Sequence, residues 1–253
     1  MPGQIDGYYS TRRDHLLADF DRLLALATPW TVTRFGKEFS SMLQSDARGE
    51  YTRLIPDIPY LQGFRARALN QFLLGTAQEV AVYKAMKKHG RSTGEAWELC
   101  HHTIRLRMAE VPKWKIRMYR RFMFSRLAKK IVSRRAHRQE RGHFGDFEIE
   151  YIAGDGDAFD FGVNYLQCGN LVFARKQGCE EFAPYVCMSD IALSDAMGWG
   201  LIRTQTLADG CPHCDFRFKK GANTRISSKT PAVQDTIEMI YRKEAYAGEA
   251  GNG

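Results

Sequence analysis

FDFGVNYLQCGNLVFARKQGCEEFAPYVCMSDIALSDAMGWGLIRTQTLADGCPHCDFRF, residues Phe159–Phe218, changes its hydrophobic period from two to about 3.6 and back again. Phe159, Phe161, Val163 and Tyr165 alternate with Asp160, Gly162 and Asn164, the pattern of a strand with one buried face. Asn170–Gln177, closed by Gly178, and Glu180–Met197, closed by Gly198 and Gly200, read as helices. Leu201–Leu207 and Cys214–Lys219 then read as a second strand pair across the loop 208–213. Just upstream, Phe147, Ile149 and Tyr151 alternate with Glu148 and Glu150, and Gly154-Asp155-Gly156 supplies turn chemistry, which makes 147–165 a β-hairpin. The C-terminal half is therefore expected to run β-β-α-α-β-β, a small antiparallel sheet with helices on one face.

What precedes this region has helical spacing. Arg12–Leu26 carries Leu16, Leu17, Phe20, Leu23 and Leu24 on one side, and Pro29 is expected to end it. Residues 30–51 show a mixed pattern with no sharp assignment. Leu54-Ile-Pro-Asp-Ile-Pro-Tyr60, with two prolines, predicts an extended loop. After Gly63 a helix runs through Leu69, Leu73, Ala77, Val80 and Met86 to Gly90, and Ser92 or Thr93 caps another through Trp97, Leu99 and Met108, stopped by Pro112. The whole is an α+β protein, an N-terminal helical part packed on the sheet with a cleft between them. Its divisions are an N-terminal helical arm (1–53), a helical region (54–142), an α+β region (143–222) and a polar tail (223–253), within one compact domain. The tail is expected to hold a helix at Val233–Tyr241 and a disordered Gly-rich end.

Hydrophobic residues make up 44% of the 253 residues, ample for a buried core, and no apolar run reaches the length that crosses a bilayer. The beginning of the chain lacks a basic region followed by an apolar one, so a cytoplasmic location is expected. Six cysteines then read as reduced thiols rather than a disulfide framework. The net charge of +8 is concentrated between Lys113 and Arg141, where Ile116, Tyr119, Met123, Leu127 and Ile131 recur at spacings of three and four. This predicts one amphipathic helix with a cationic outer face: a solvated face, or a surface for an anionic substrate, a membrane or nucleic acid. No helix-turn-helix, zinc-finger or RNP motif supports a nucleic-acid partner. The expected partner is a small molecule.

Chemistry-bearing residues concentrate in 159–218. Cys187, Asp190 and Ser194 fall on one helical stripe, bringing a thiol, a carboxylate and a hydroxyl to the sheet. In the last strand Cys214, Phe216 and Phe218 share the core face, and Asp215 and Arg217 the other. Cys211-x-x-Cys214 with Cys187, Cys168 or His213 is a possible zinc set, weakened by the lack of a second CxxC, and Cys179 is poorly placed to complete it. His101 and His102, adjacent on one helix, point roughly 100° apart and do not easily ligate one ion together; either alone could be an axial haem ligand or an acid/base group, but nothing nearby in sequence completes a site, so ordinary histidines are expected. No cofactor is expected.

Several stretches carry a resemblance. ProTyrValCysMetSerAsp at 184–190, ArgThrGlnThrLeuAlaAspGly at 203–210 and CysAspPheArgPhe at 214–218 resemble the C-terminal signature of the L-2-amino-thiazoline-4-carboxylic acid hydrolase family. The loop at 54–60, Ala81-Val-Tyr-Lys84 and Asn164-Tyr-Leu-Gln-Cys168 are similar to it too, so the likeness spans roughly 50–220. The last third also resembles, at the level of fold, ligand-binding domains of the vinyl-reductase type. The first resemblance implies hydrolytic opening of a five-membered cyclic amidine, or a related carbon–nitrogen bond, to an N-carbamoyl amino acid. It implies site positions at Cys168, Cys187, Asp190, Cys214 and Asp215, and Cys211 departs from its pattern.

Ring opening needs attack on the amidine carbon and protonation of the ring nitrogen. Cys187 is the expected nucleophile and Asp190 the acid/base, provided that Arg203, Arg217 or His213 offsets the effect of the carboxylate on the thiol; otherwise Asp190 activates water. Arg203, Arg217 and Ser194 are the expected substrate-binding groups. The alternatives are a small-molecule sensor without turnover and a metal- or haem-dependent redox enzyme on the same fold.

Overall fold

The computed structural model describes residues 7–62, 66–138 and 147–250. Helix α1 (Arg13–Phe35) runs straight through Pro29 and stops at Gly36, whose φ of 91° suits a residue without Cβ. The missing proline N–H costs one helical bond, which packing offsets on both sides of it: Leu24 and Ala27 before the proline and Thr31 after it are buried. Thr31 also shares a buried 2.8 Å hydrogen bond with Ser40 of α2 (Lys37–Leu54), the helix that the mixed stretch 30–51 adopts. The two-proline segment begins as a 3-10 turn, Ile55–Asp57, with Pro56 at its start, and only then extends. Asn70 holds the extended part by accepting from Leu61 N at 2.9 Å and donating to Leu61 O at 2.8 Å.

Asn70 belongs to α3 (Arg67–Lys88), which buries Leu73, Ala77, Val80, Ala81 and Met86 against α2 and α4 (Thr93–Ala109). Ser92 accepts from Glu95 N while the Glu95 carboxylate accepts from Ser92 N, a capping box at the start of α4. The single helix expected over 113–141 is two, α5 (Lys113–Met123) and α6 (Arg126–Arg138), and 139–141 lie outside the described residues. Between them Ser125 Oγ accepts from Ala128 N at 3.1 Å, so the chain recaps and turns α6 onto the sheet.

The C-terminal half follows the expected order: β1 (Glu148–Ala153), β2 (Phe161–Gln167), α7 (Gly169–Lys176), α8 (Ala183–Met197), β3 (Leu201–Arg203) and β4 (Cys214–Phe218). A further strand, β5 (Arg225–Ile226), and α9 (Pro231–Ala250) complete it. The strand order is β1-β2-β4-β3-β5. All pairs are antiparallel except β3–β5, so the sheet is mixed rather than purely antiparallel. After β4 the chain returns to the outer side of β3 and runs alongside it, and a two-residue strand carries no readable period. The fold class is α+β. Val233 and Ile237 of α9 join a core cluster that extends from Tyr9 to Ile240. Among the described residues, no helix is long and apolar enough to cross a membrane.

Candidate functional site

Helix α8 positions the site because it is apolar on nearly all sides: Tyr185, Val186, Met188, Ile191 and Ala192 are all buried, against α4 on one side and α7 on another. A cavity opens on each side of it. The sheet-side cavity, about 440 Å³, rests on the inward residues of the strands, among them Phe161, Val163 and Tyr165 of β2 and Cys214, Phe216 and Phe218 of β4. The period of two thus sorts Cys214 into the cavity and Asp215 and Arg217 to the other face. The helix-side cavity, about 380 Å³, lies among α1, α2, α3, α4 and α8. Phe72, Asn170, Val186 and Asp190 line both cavities and mark where they meet.

At that junction Arg203, on the inward face of β3 with Leu201, donates from Nη1 to Asp190 Oδ2 at 2.5 Å and to Cys187 O at 2.8 Å. The Arg203 side chain is 2% exposed, whereas Asp190 keeps 26% open, so the cation is structural and the carboxylate faces the space. Arg203 also sits over the Phe216 ring, and its Nε is buried without a protein partner. The turn that delivers β3 depends on Gly200, at φ 57°, where a Cβ would fall 2.0 Å from Lys219 O. Burial raises the Asp190 carboxyl above its ordinary range, with Arg203 pulling it back.

Cys168, Cys187 and Cys214 line the same cavity, and all three remain protonated at neutral pH. Burial drives Cys187 far up, and the opposing pull of Arg203 does not offset it. Burial likewise pushes Cys168 up to about 12, against the N–H groups of Leu171 and Asn170 at the start of α7. Cys214 is pushed to about 12, although its Sγ accepts from Leu207 N at 3.2 Å. The expected offset of the thiol by a cation is therefore incomplete.

Two groups here escaped the sequence reading. Glu79 of α3 lines the helix-side cavity beside Asp190 and accepts from Ser189 Oγ at 2.9 Å. Burial, with the Asp190 charge adding to it, raises Glu79 to about 8 despite that hydrogen bond. Asn170 carries a buried Oδ1 with no protein partner. The signal for Glu79 was a carboxylate with no other charged residue from Gly75 to Tyr83 around it, on a helix whose Ala77, Val80 and Ala81 are core positions.

Other expected residues lie elsewhere. Ser194 is fully buried, accepting from Leu201 N at 3.1 Å and from Thr224 Oγ1 at 2.7 Å, so it pins β3 rather than facing the cavity. Asp215 accepts from Thr204 N and Gln205 N, both at 2.8 Å, and from Thr204 Oγ1 at 2.6 Å; this turns the chain aside and cuts the expected strand 201–207 to three residues. Arg217 donates to Asn164 Oδ1 at 3.0 Å on the same outer face. His213 pairs with Gln205, and Cys211 is buried in the loop away from both cavities. Among the described residues no three His, Cys, Asp or Glu side chains converge as a metal ion requires, so Cys187, Cys211 and Cys214 do not form a ligand set. His101 packs on Trp97, and burial lowers it to about 4, which keeps it neutral.

The arrangement sets the Asp190 carboxyl, paired with Arg203, beside a protonated Glu79, with apolar volume on either side, a setting for acid/base chemistry on a small molecule. A family model described as L-2-amino-thiazoline-4-carboxylic acid hydrolase matches residues 71–218, more than half of the chain. No curated protein and no solved structure matches it.

Proposed function

The chain belongs to the L-2-amino-thiazoline-4-carboxylic acid hydrolase family, whose name makes its function hydrolase-like, and we propose that it opens a small cyclic amidine by attack of water that Asp190 activates. The observation that carries this reading is the pairing at the cavity junction: an Asp190 carboxylate held by a buried Arg203, surrounded by thiols that burial keeps protonated. A nucleophilic thiolate would have to form against that burial, whereas water needs only the base.

In the proposed sequence, Asp190 takes a proton from water as the oxygen bonds to the amidine carbon. Glu79, protonated, gives its proton to the ring nitrogen. For an aminothiazoline ring, collapse of the tetrahedral adduct forms the carbonyl as its hydroxyl proton passes to the Glu79 carboxylate, breaks the carbon–sulfur bond and delivers the Asp190 proton to sulfur, so both carboxyl groups return to their starting states. The product is an N-carbamoyl amino acid with a free thiol. Asn170 Oδ1, unpaired and at the junction, is placed to accept from the exocyclic amino group.

The test is thiol release from L-2-amino-thiazoline-4-carboxylate, with protein thiols subtracted, by wild type, Asp190→Asn and Cys187→Ala. Wild-type turnover that falls by roughly 10²- to 10⁴-fold in Asp190→Asn, and by only a few-fold in Cys187→Ala, supports water attack. Equal loss in Cys187→Ala would reinstate the thiol nucleophile. The aromatic lining of the sheet-side cavity favours a second reading, a small-molecule binding protein without turnover. Ligand binding with no thiol release would select it.

A further inference from the structure

We propose that α5 and α6 form an interfacial surface that seats the protein on an anionic lipid bilayer. Helix α5 buries none of its residues, which is unusual for a helix carrying five large apolar side chains besides its Met123. Trp114, Met118 and Phe122, spaced i, i+4 and i+8, form one stripe and are 57%, 52% and 53% exposed. On α6, Leu127 and Ile131, spaced i and i+4, are a further apolar pair at 61% and 37% exposed. With an advance of about 100° per residue, Arg117 and Arg121 flank the α5 stripe on one side and Lys115 on the other. A bulky apolar stripe bordered by cations is what a helix lying in the headgroup region presents to lipid.

Charge selects the partner. Residues 113–138 hold eleven Lys and Arg and no Asp or Glu, more than the whole net charge of +8, so the rest of the chain is net acidic. A second copy of this face would oppose cation to cation, which disfavours self-association through it. Nucleic-acid phosphates would satisfy the cations but bury little of Trp114, Met118 and Leu127, whereas an anionic bilayer answers both. Tyr119 and Phe122, each 53% exposed, also line the sheet-side cavity, so its rim is part of the docking face. The inference does not depend on the reaction proposed above.

The test is flotation of the full chain, in about 0.1 M salt, with vesicles of mixed phosphatidylglycerol and phosphatidylcholine and with phosphatidylcholine alone. Binding to the anionic vesicles should be at least roughly tenfold tighter, with a blue shift of tryptophan emission. Trp114→Ser/Met118→Ser/Leu127→Ser and Arg117→Glu/Arg121→Glu should each weaken it by about tenfold or more, with unchanged circular dichroism and melting, since all five side chains are on the surface. Failure of wild type to float would overturn the proposal. So would full retention of binding by the apolar variant, tighter binding to duplex DNA that only the charge variant loses, or a dimer that the apolar variant dissociates without any vesicle binding.

Discussion

At the residue scale the site rests on two carboxylates whose environments differ. Asp190, which burial raises and a cation at 2.5 Å pulls back, is the base of the proposed reaction, whereas Glu79, raised to about 8, keeps its proton through neutral pH. The proposed reaction should then have a bell-shaped pH profile of kcat/KM, rising as Asp190 ionises above the ordinary carboxylate range and falling near pH 8 as Glu79 loses its proton. Glu79→Gln should remove the falling limb. Linkage gives an independent check on the same group. Its folded value, about 8, lies above the ordinary 4.5, so its contribution to stability is full below pH 4.5 and is lost as pH rises through 8. Melting of wild type and Glu79→Gln from pH 5 to pH 9 should show the variant gaining relative stability with pH; parallel curves would mean that Glu79 titrates normally. Arg203→Met should cost stability near the lower end of about 3–5 kcal/mol, because a deserted Asp190, 26% exposed, can protonate instead of staying charged. Denaturant titration at pH 7 and pH 5 should show a smaller loss at the lower pH.

Among the elements, those with local signatures were legible. The capping box of α4, the alternation of β1, β2 and β4, and the glycines that close α7 and α8 are all short-range devices, and the structure has each where its residues point. Ser92→Ala removes an acceptor for Glu95 N and should cost about 1 kcal/mol, roughly 2–4 °C in melting temperature for a chain of this size. No change in melting would mean that the first turn of α4 is held by packing alone. Elements decided by long-range contact were not legible. Packing carries α1 past Pro29, and β5 exists only because β3 presents an edge to it; the cap at Ser125 that splits the basic stretch is local, but the apolar spacing that runs on across it hides the break.

In the whole molecule, α8 divides the interior, and the two cavities meet at Asp190. Helices α1 and α2 lie outside the residues that the family model matches, yet they wall the helix-side cavity through Leu16, Leu23 and Leu43. Their shape should therefore set which substrates fit. Leu23→Trp, at a half-buried position of that wall, should raise KM several-fold for larger cyclic amidines while changing kcat less than twofold for the smallest; an equal effect on every substrate would place the reacting ring away from this cavity. By itself the sequence determined the α+β class, the hairpin and the two helices between the strand pairs, because period, turn chemistry and helical spacing act over a few residues; Cys168, Cys187, Asp190 and Cys214, positions that the family resemblance implies, line one cavity together with Arg203. Only the tertiary structure decided that Ser194, Asp215 and Arg217 turn away from the cavities, that the thiols stay protonated, and that Glu79 faces Asp190 from 111 positions away in the chain. Burial and the partner across a cavity are properties of packed surfaces, and no local pattern encodes which surfaces will meet.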